Sequence, residues 1–132
     1  MKYFVIAFAL FLALPLSAQQ QAPQDPQKQL RENIDRSLEK YERSLDLEGW
    51  QIFYMDSIMT HDYSAMMAEL EDINKAKVEN TDIYMQIQDK WLEKIYNSFH
   101  KVLNEEQWNK YLKSGAAREK KARDKRESKR NR

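Results

Sequence analysis

LEGWQ occupies residues 47–51 and LNEEQ occupies residues 103–107. Both run from a leucine to a glutamine four positions on, and both carry a tryptophan beside the glutamine: Trp50 just before Gln51, Trp108 just after Gln107. The second stretch reads as the start of a helix. Asn104 suits the N-cap, where its side-chain oxygen accepts from a backbone N–H two or three residues on. Gln107 stands where a side chain reaches back to the cap residue's own N–H, which completes a capping box. Glu105 and Glu106 fall in the first turn, where the helix dipole favours negative charge. Leu103, just before the cap, is placed to act as a staple. The first stretch has poorer cap chemistry. Glu48 is a weak cap type, so Asp46 or Ser44 is expected to start that helix instead.

Outward from these two starts, the apolar spacing is helical throughout. Leu30, Ile34, Leu38, Tyr41 and Leu45 make one stripe and predict a helix over about 28–45. Ile52, Met55, Met59, Tyr63, Met66, Leu70 and Ile73 predict a long helix over about 49–77, its apolar face widened by Trp50, Phe53 and Ile58. Tyr84, Ile87, Trp91, Ile95, Phe99 and Val102 predict a third over about 82–102, with Thr81 as its N-cap. Trp108, Tyr111 and Leu112 open a fourth, which can run on through Gly115 into a charged tail that favours helix by propensity and has almost nothing to bury. Between Gln27 and Arg132 there is no proline, and the only glycines are Gly49 and Gly115. The expected fold is all-α: four antiparallel helices joined by short turns as helical hairpins, elongated, with a basic C-terminal tail that is helical or frayed.

The ends of the chain differ from its body. Residues 1–18 join one lysine, an apolar run, Pro15 and the small residues Ser17 and Ala18, the layout of a cleavable secretory signal. The run is shorter than the roughly 20 residues of a membrane span. Cleavage near Ala18 would place the protein in the periplasm or outside the cell, and no later stretch is apolar enough to span a bilayer. Residues 19–27, rich in Gln and Pro, are expected to form a disordered leader, residues 28–114 the helical domain and residues 115–132 the basic tail. With no cysteine, disulfides, thiolate catalysis and cysteine-based zinc sites are excluded, and one modest core must hold the domain by packing. Charge is badly mixed: Arg118–Arg132 carries nine Lys/Arg against three Asp/Glu, while residues 19–117 carry twelve against eighteen. Such a tail attracts an anionic surface or the acidic body of a neighbour.

An exported, cysteine-free, four-helix chain with two degenerate L-T-x-x-Q motifs resembles the Spy/CpxP family of periplasmic stress proteins. The matching residues are Leu47 and Gln51, then Leu103 and Gln107, with Glu48 and Asn104 in place of the threonine. The likeness covers about residues 28–113 and not the basic tail. It implies a thin, curved homodimer that holds unfolded clients without ATP; some relatives damp an envelope-stress sensor or bind metal. Trp50, Ile52, Met55, Met59, Met66 and Met67 then form either a client-binding face or plain core, since methionine repacks easily against varied partners while a stripe at helical spacing is core by default.

Catalytic chemistry is not expected. There is no G-x-S-x-G, P-loop or H-E-x-x-H motif, and charged helix surfaces supply carboxylates anyway. His61 and His100 lie on different expected helices, and neither has a second histidine at ligand spacing. His61, Asp62 and Met66 are the nearest approach to a ligand set, so no metal or cofactor is expected. His100, beside Lys101 near a helix end, reads as a dipole partner. Specific nucleic-acid binding is not expected of an exported protein. Two functions remain: a chaperone or envelope-stress accessory holding clients on an apolar helical face, or a structural protein that dimerises and docks through Arg118–Arg132 on an anionic surface.

Overall fold

A computed structural model describes residues 25–132. The expected signal sequence and the first part of the leader, residues 1–24, lie outside the described residues. The rest is helical, with no strand among the described residues: α1 (Pro26–Leu45), α2 (Gly49–Lys75), α3 (Thr81–Val102), α4 (Glu105–Tyr111), a π-turn over Leu112–Ala116, and α5 (Ala117–Arg130). The all-α expectation holds.

The boundaries reflect local chemistry. α1 starts earlier than its apolar stripe because Asp25 caps it, accepting from the Gln27 N–H at 3.0 Å, with Pro26 at the first helical position, where its missing N–H costs nothing. The leader therefore gives way to helix two residues before its expected end. α1 stops at Asp46, whose φ of 52° is left-handed and whose N–H returns to the Glu42 carbonyl. Asp46 thus ends α1 and does not start α2, and Ser44 lies inside α1. Glu48 is the N-cap of α2, extended at φ −76° and ψ 157°. At the head of α3 the cap is Asn80 in place of Thr81, its side chain accepting from the Asp82 N–H at 3.0 Å. Thr81 is the first helical residue instead, since asparagine is the better cap of the two.

One core joins four helices: Ile34, Leu38 and Leu45 of α1, Met55 and Met59 of α2, Ile95 and Phe99 of α3, and Trp108 and Tyr111 of α4. Leu47 and Leu103, the leucines of the two short motifs, close it from the turns. Along the α2–α3 seam, Gln51, Asp62 and Glu69 meet Val102, Lys94 and Lys90 in that order. Arg31 ties α1 to α2 through Asp56 at 2.8 Å and Thr60 at 3.2 Å. Rings pack edge-on beneath the α4 start, Tyr41 against Phe99 at 6.0 Å and Tyr96 against Trp108 at 4.9 Å, a geometry that adds to plain area burial.

The fourth helix does not run straight into the tail. Gly115 takes φ 121°, a region that side chains with a Cβ rarely adopt, inside the π-turn. The chain bends there and α5 lies back along α3. The tail has something to bury after all: Arg123 is 6% exposed, its Nε donating to Glu93 at 3.1 Å.

Candidate functional site

The two motif glutamines, 56 positions apart in sequence, meet in the interior. Gln51 Nε2 donates to Gln107 Oε1 at 2.6 Å, and Gln107 Nε2 donates to Gln51 Oε1 at 3.0 Å. Each amide then spends its other half on main chain. Gln51 Oε1 accepts from the Glu48 N–H at 2.9 Å and Gln51 Nε2 donates to the Val102 carbonyl at 3.1 Å. Gln107 Oε1 accepts from the Asn104 N–H at 3.0 Å and Gln107 Nε2 donates to the Asp46 carbonyl at 3.3 Å. Both donors and both lone pairs of each amide are used. The arrangement is near-symmetric. Each glutamine holds the N-cap of its own helix and a carbonyl at the end of the helix that stops at the other turn, so α1-turn-α2 and α3-turn-α4 are bolted end to end.

The second capping box is as expected, with Asn104 Oδ1 accepting from the Gln107 N–H at 2.8 Å. The first start also forms a capping box, with the Gln51 side chain accepting from the Glu48 N–H, although Glu48 is a weak cap type. Glu48 uses its carboxylate on the Trp50 indole N–H. Of the residues expected to share one apolar face, Met55 and Met59 are core, 0% and 3% exposed. Ile52 packs half-buried against that core, and Met66 and Met67 are half-buried further along α2. Trp50 stands apart from them on the outside.

That outside is the feature the sequence understated. Trp50, Phe53 and Tyr54 are 52%, 67% and 54% exposed, and they touch one another edge-on, Trp50 to Tyr54 at 6.2 Å and Phe53 to Tyr54 at 5.8 Å. They sit at the α2 start, on the same first turns that carry Gln51. Sequence spacing puts Phe53 on a widened apolar face of α2, and because the first turns of α2 are apolar nearly all round, periodicity cannot choose which side of them is buried.

The histidines do ordinary work. His61 Nδ1 lies 2.8 Å from the carboxylate of Asp62, which is buried beside Lys94. No group of three or more His, Asp or Glu side chains placed to hold a metal ion forms among the described residues. His100 stacks flat on Trp108 at 4.1 Å, which fixes the ring of the second motif.

A second polar locus lies where α5 meets α3. Arg126 grips Asp89 with two bonds, at 2.8 and 2.7 Å, Arg130 reaches Asp89 at 3.2 Å and Asp82 at 3.3 Å, and Lys120 meets Glu93 at 2.8 Å. The Arg126 guanidinium, then Arg130, hold the Asp89 carboxyl below its ordinary range against the opposing effect of burial. A groove of about 750 Å³ runs between the two helices, floored by Ile83 and Ile87 and rimmed by these charges.

No family model, no curated protein and no solved structure matches the chain. None of the described helices is long and apolar enough to cross a membrane.

Proposed function

We propose that this is an exported, non-enzymatic helical protein of Spy/CpxP type that holds unfolded clients without ATP. In this reading its hairpins pair into an elongated homodimer, and the holding surface is the Trp50–Phe53–Tyr54 patch. The observation that carries the reading is that patch: three adjacent aromatic side chains more than half exposed on a helix with a complete core on its other side. Contiguous exposed apolar surface marks a contact site, and aromatic rings supply much contact area at little conformational cost. The paired glutamines add support, since they give both degenerate motifs one joint structural task.

The test is suppression of aggregation of a chemically denatured client, followed by light scattering. Near-stoichiometric protein should slow aggregation, and Trp50→Ser with Phe53→Ser and Tyr54→Ser should remove most of that effect while helicity stays. No slowing by the unmodified protein would end the proposal. Full activity in the triple variant would move the surface elsewhere. A second reading, favoured by the charge of α5, is docking through the tail on an anionic surface.

A further inference from the structure

We propose that the outward face of α5 is a docking stripe for an anionic phospholipid surface, and that only this face of the basic tail is free to bind. The inference rests on the tail-docking reading and names its residues and partner. α5 has no apolar side chain larger than alanine, so charge alone decides what each of its faces meets. At 3.6 residues per turn its cations divide into two sets. Lys120, Arg123, Arg126 and Arg130 point at α3 and are consumed by Glu93, Asp89 and Asp82. Arg118, Lys121, Lys125 and Lys129 step by 3, 4 and 4 along the opposite side, and all four are exposed. None of the four is paired with a carboxylate among the described residues. They fall within about 80° of arc and span about 16 Å of helix. Glu119 and Glu127 project away from that arc at the same helical pitch, and Asp124, three residues after Lys121, is engaged by Lys120 at 2.6 Å.

A nearly straight row of unneutralised cations on a rigid helix matches a planar array of headgroup phosphates, where all four engage at once. The row is bordered by Ala122 and Ser128, with nothing apolar to insert, so contact is superficial and governed by salt. Duplex recognition fits less well. The stripe carries no ring to stack on bases. The net +6 of residues 118–132 overstates what is available, because nearly half of the tail's cations are spent inside the molecule.

The experiment is co-sedimentation of residues 19–132, which keep every described element, with phosphatidylglycerol/phosphatidylcholine vesicles and with phosphatidylcholine alone. Binding is expected only to the anionic vesicles, at about millimolar accessible lipid in low salt, with release as salt rises. Each stripe cation removed should weaken partitioning about fivefold. Arg118→Gln, Lys121→Gln, Lys125→Gln and Lys129→Gln together should therefore abolish binding with helicity unchanged. Lys121→Arg, Lys125→Arg and Lys129→Arg should preserve it. No sedimentation of the unmodified chain would sink the tail-docking reading itself. Sedimentation that survives the four-fold glutamine variant would overturn the stripe assignment and leave the broader reading standing. Tighter binding to duplex DNA than to vesicles under the same salt would overturn the choice of lipid. The client assay reads the aromatic patch and is independent of all of these.

Discussion

Gln51 and Gln107 join two turns that lie 56 residues apart in sequence. Between them they satisfy the N–H of Glu48 and Asn104 and the carbonyls of Asp46 and Val102, four main-chain groups at two turns. Removing one glutamine leaves its partner amide and two of those groups short of bonds in a site that water reaches poorly, and unmet buried polar groups cost about 1–3 kcal/mol each at most. Gln51→Ala or Gln107→Ala is therefore expected to lower stability by roughly 2–4 kcal/mol in urea unfolding. The double variant should cost less than the sum, with a coupling of roughly 1–2 kcal/mol, because the second truncation finds no partner left to strand. Strict additivity would mean that the two amides act separately. The sequence displayed half of this. Asn104 and the position of Gln107 announced a capping box, which is a contact within four residues. That the two box-closing glutamines face each other is a contact across 56 residues, and no local rule reports it.

At the scale of helices, periodicity placed the four stripes within a few residues of α1 to α4, because each stripe faces the same core. Where it failed, the driving force was something other than burial. Asp46, with Ser44 an expected helix start, is a left-handed helix end, a matter of backbone angle that its residue type serves equally well. α5 has almost nothing apolar to bury, and apolar spacing is silent about a helix fixed by Asp82, Asp89 and Glu93. This origin makes α5 the element most sensitive to pH and salt. The folded Asp89 carboxyl sits below its ordinary value, so the stability it lends is full above about pH 4 and is lost as pH falls through the lowered value. Hydrogen exchange should show residues 117–130 protected at neutral pH and opened first on acidification or in high salt. Asp89→Asn should open them at neutral pH, at a local cost of about 1–3 kcal/mol. Gly115→Ala tests the bend. No atom lies near enough to clash with a new Cβ, but φ of 121° disfavours alanine by about 1–3 kcal/mol. The expected outcome is a straighter α4–α5 junction, with α5 exchanging faster while total helicity holds. Unchanged protection of α5 in both variants would mean that burial, not charge and bend, keeps it in place.

For the whole molecule, the decisive place is where four helices converge on a set of phenols. Tyr41 of α1, Tyr63 of α2, Tyr96 of α3 and Tyr111 of α4 line one small cavity of about 60 Å³, with Glu119 and Arg123 of α5 at its wall. Arg123 Nη2 is buried there with no hydrogen-bond partner among the described residues, so the centre is polar in a way the apolar stripes did not foretell. Burial, and then the nearby Tyr63 and Glu119, push the Tyr41 hydroxyl up to about 12. Burial first, then neighbouring phenols and Glu119, also raises Tyr111, and burial and Glu119 raise Tyr63. A phenol whose folded value is raised contributes stability that is complete below its unfolded value near 10 and is lost as pH climbs through the folded one. For Tyr41 alone the loss is on the order of 2–3 kcal/mol, a sizeable part of what a domain of this size has. The molecule should accordingly unfold cooperatively in alkali above about pH 10, with phenolate absorbance rising and helicity falling in one transition. Tyr41→Phe removes an ionisable group whose hydroxyl makes no hydrogen bond among the described residues. It should change neutral stability by less than about 1 kcal/mol and move the alkaline midpoint upward. If the phenols instead ionise near their ordinary value while the helices persist, the four tyrosines are reached by solvent one at a time, and α1 to α4 do not share a single cooperative centre.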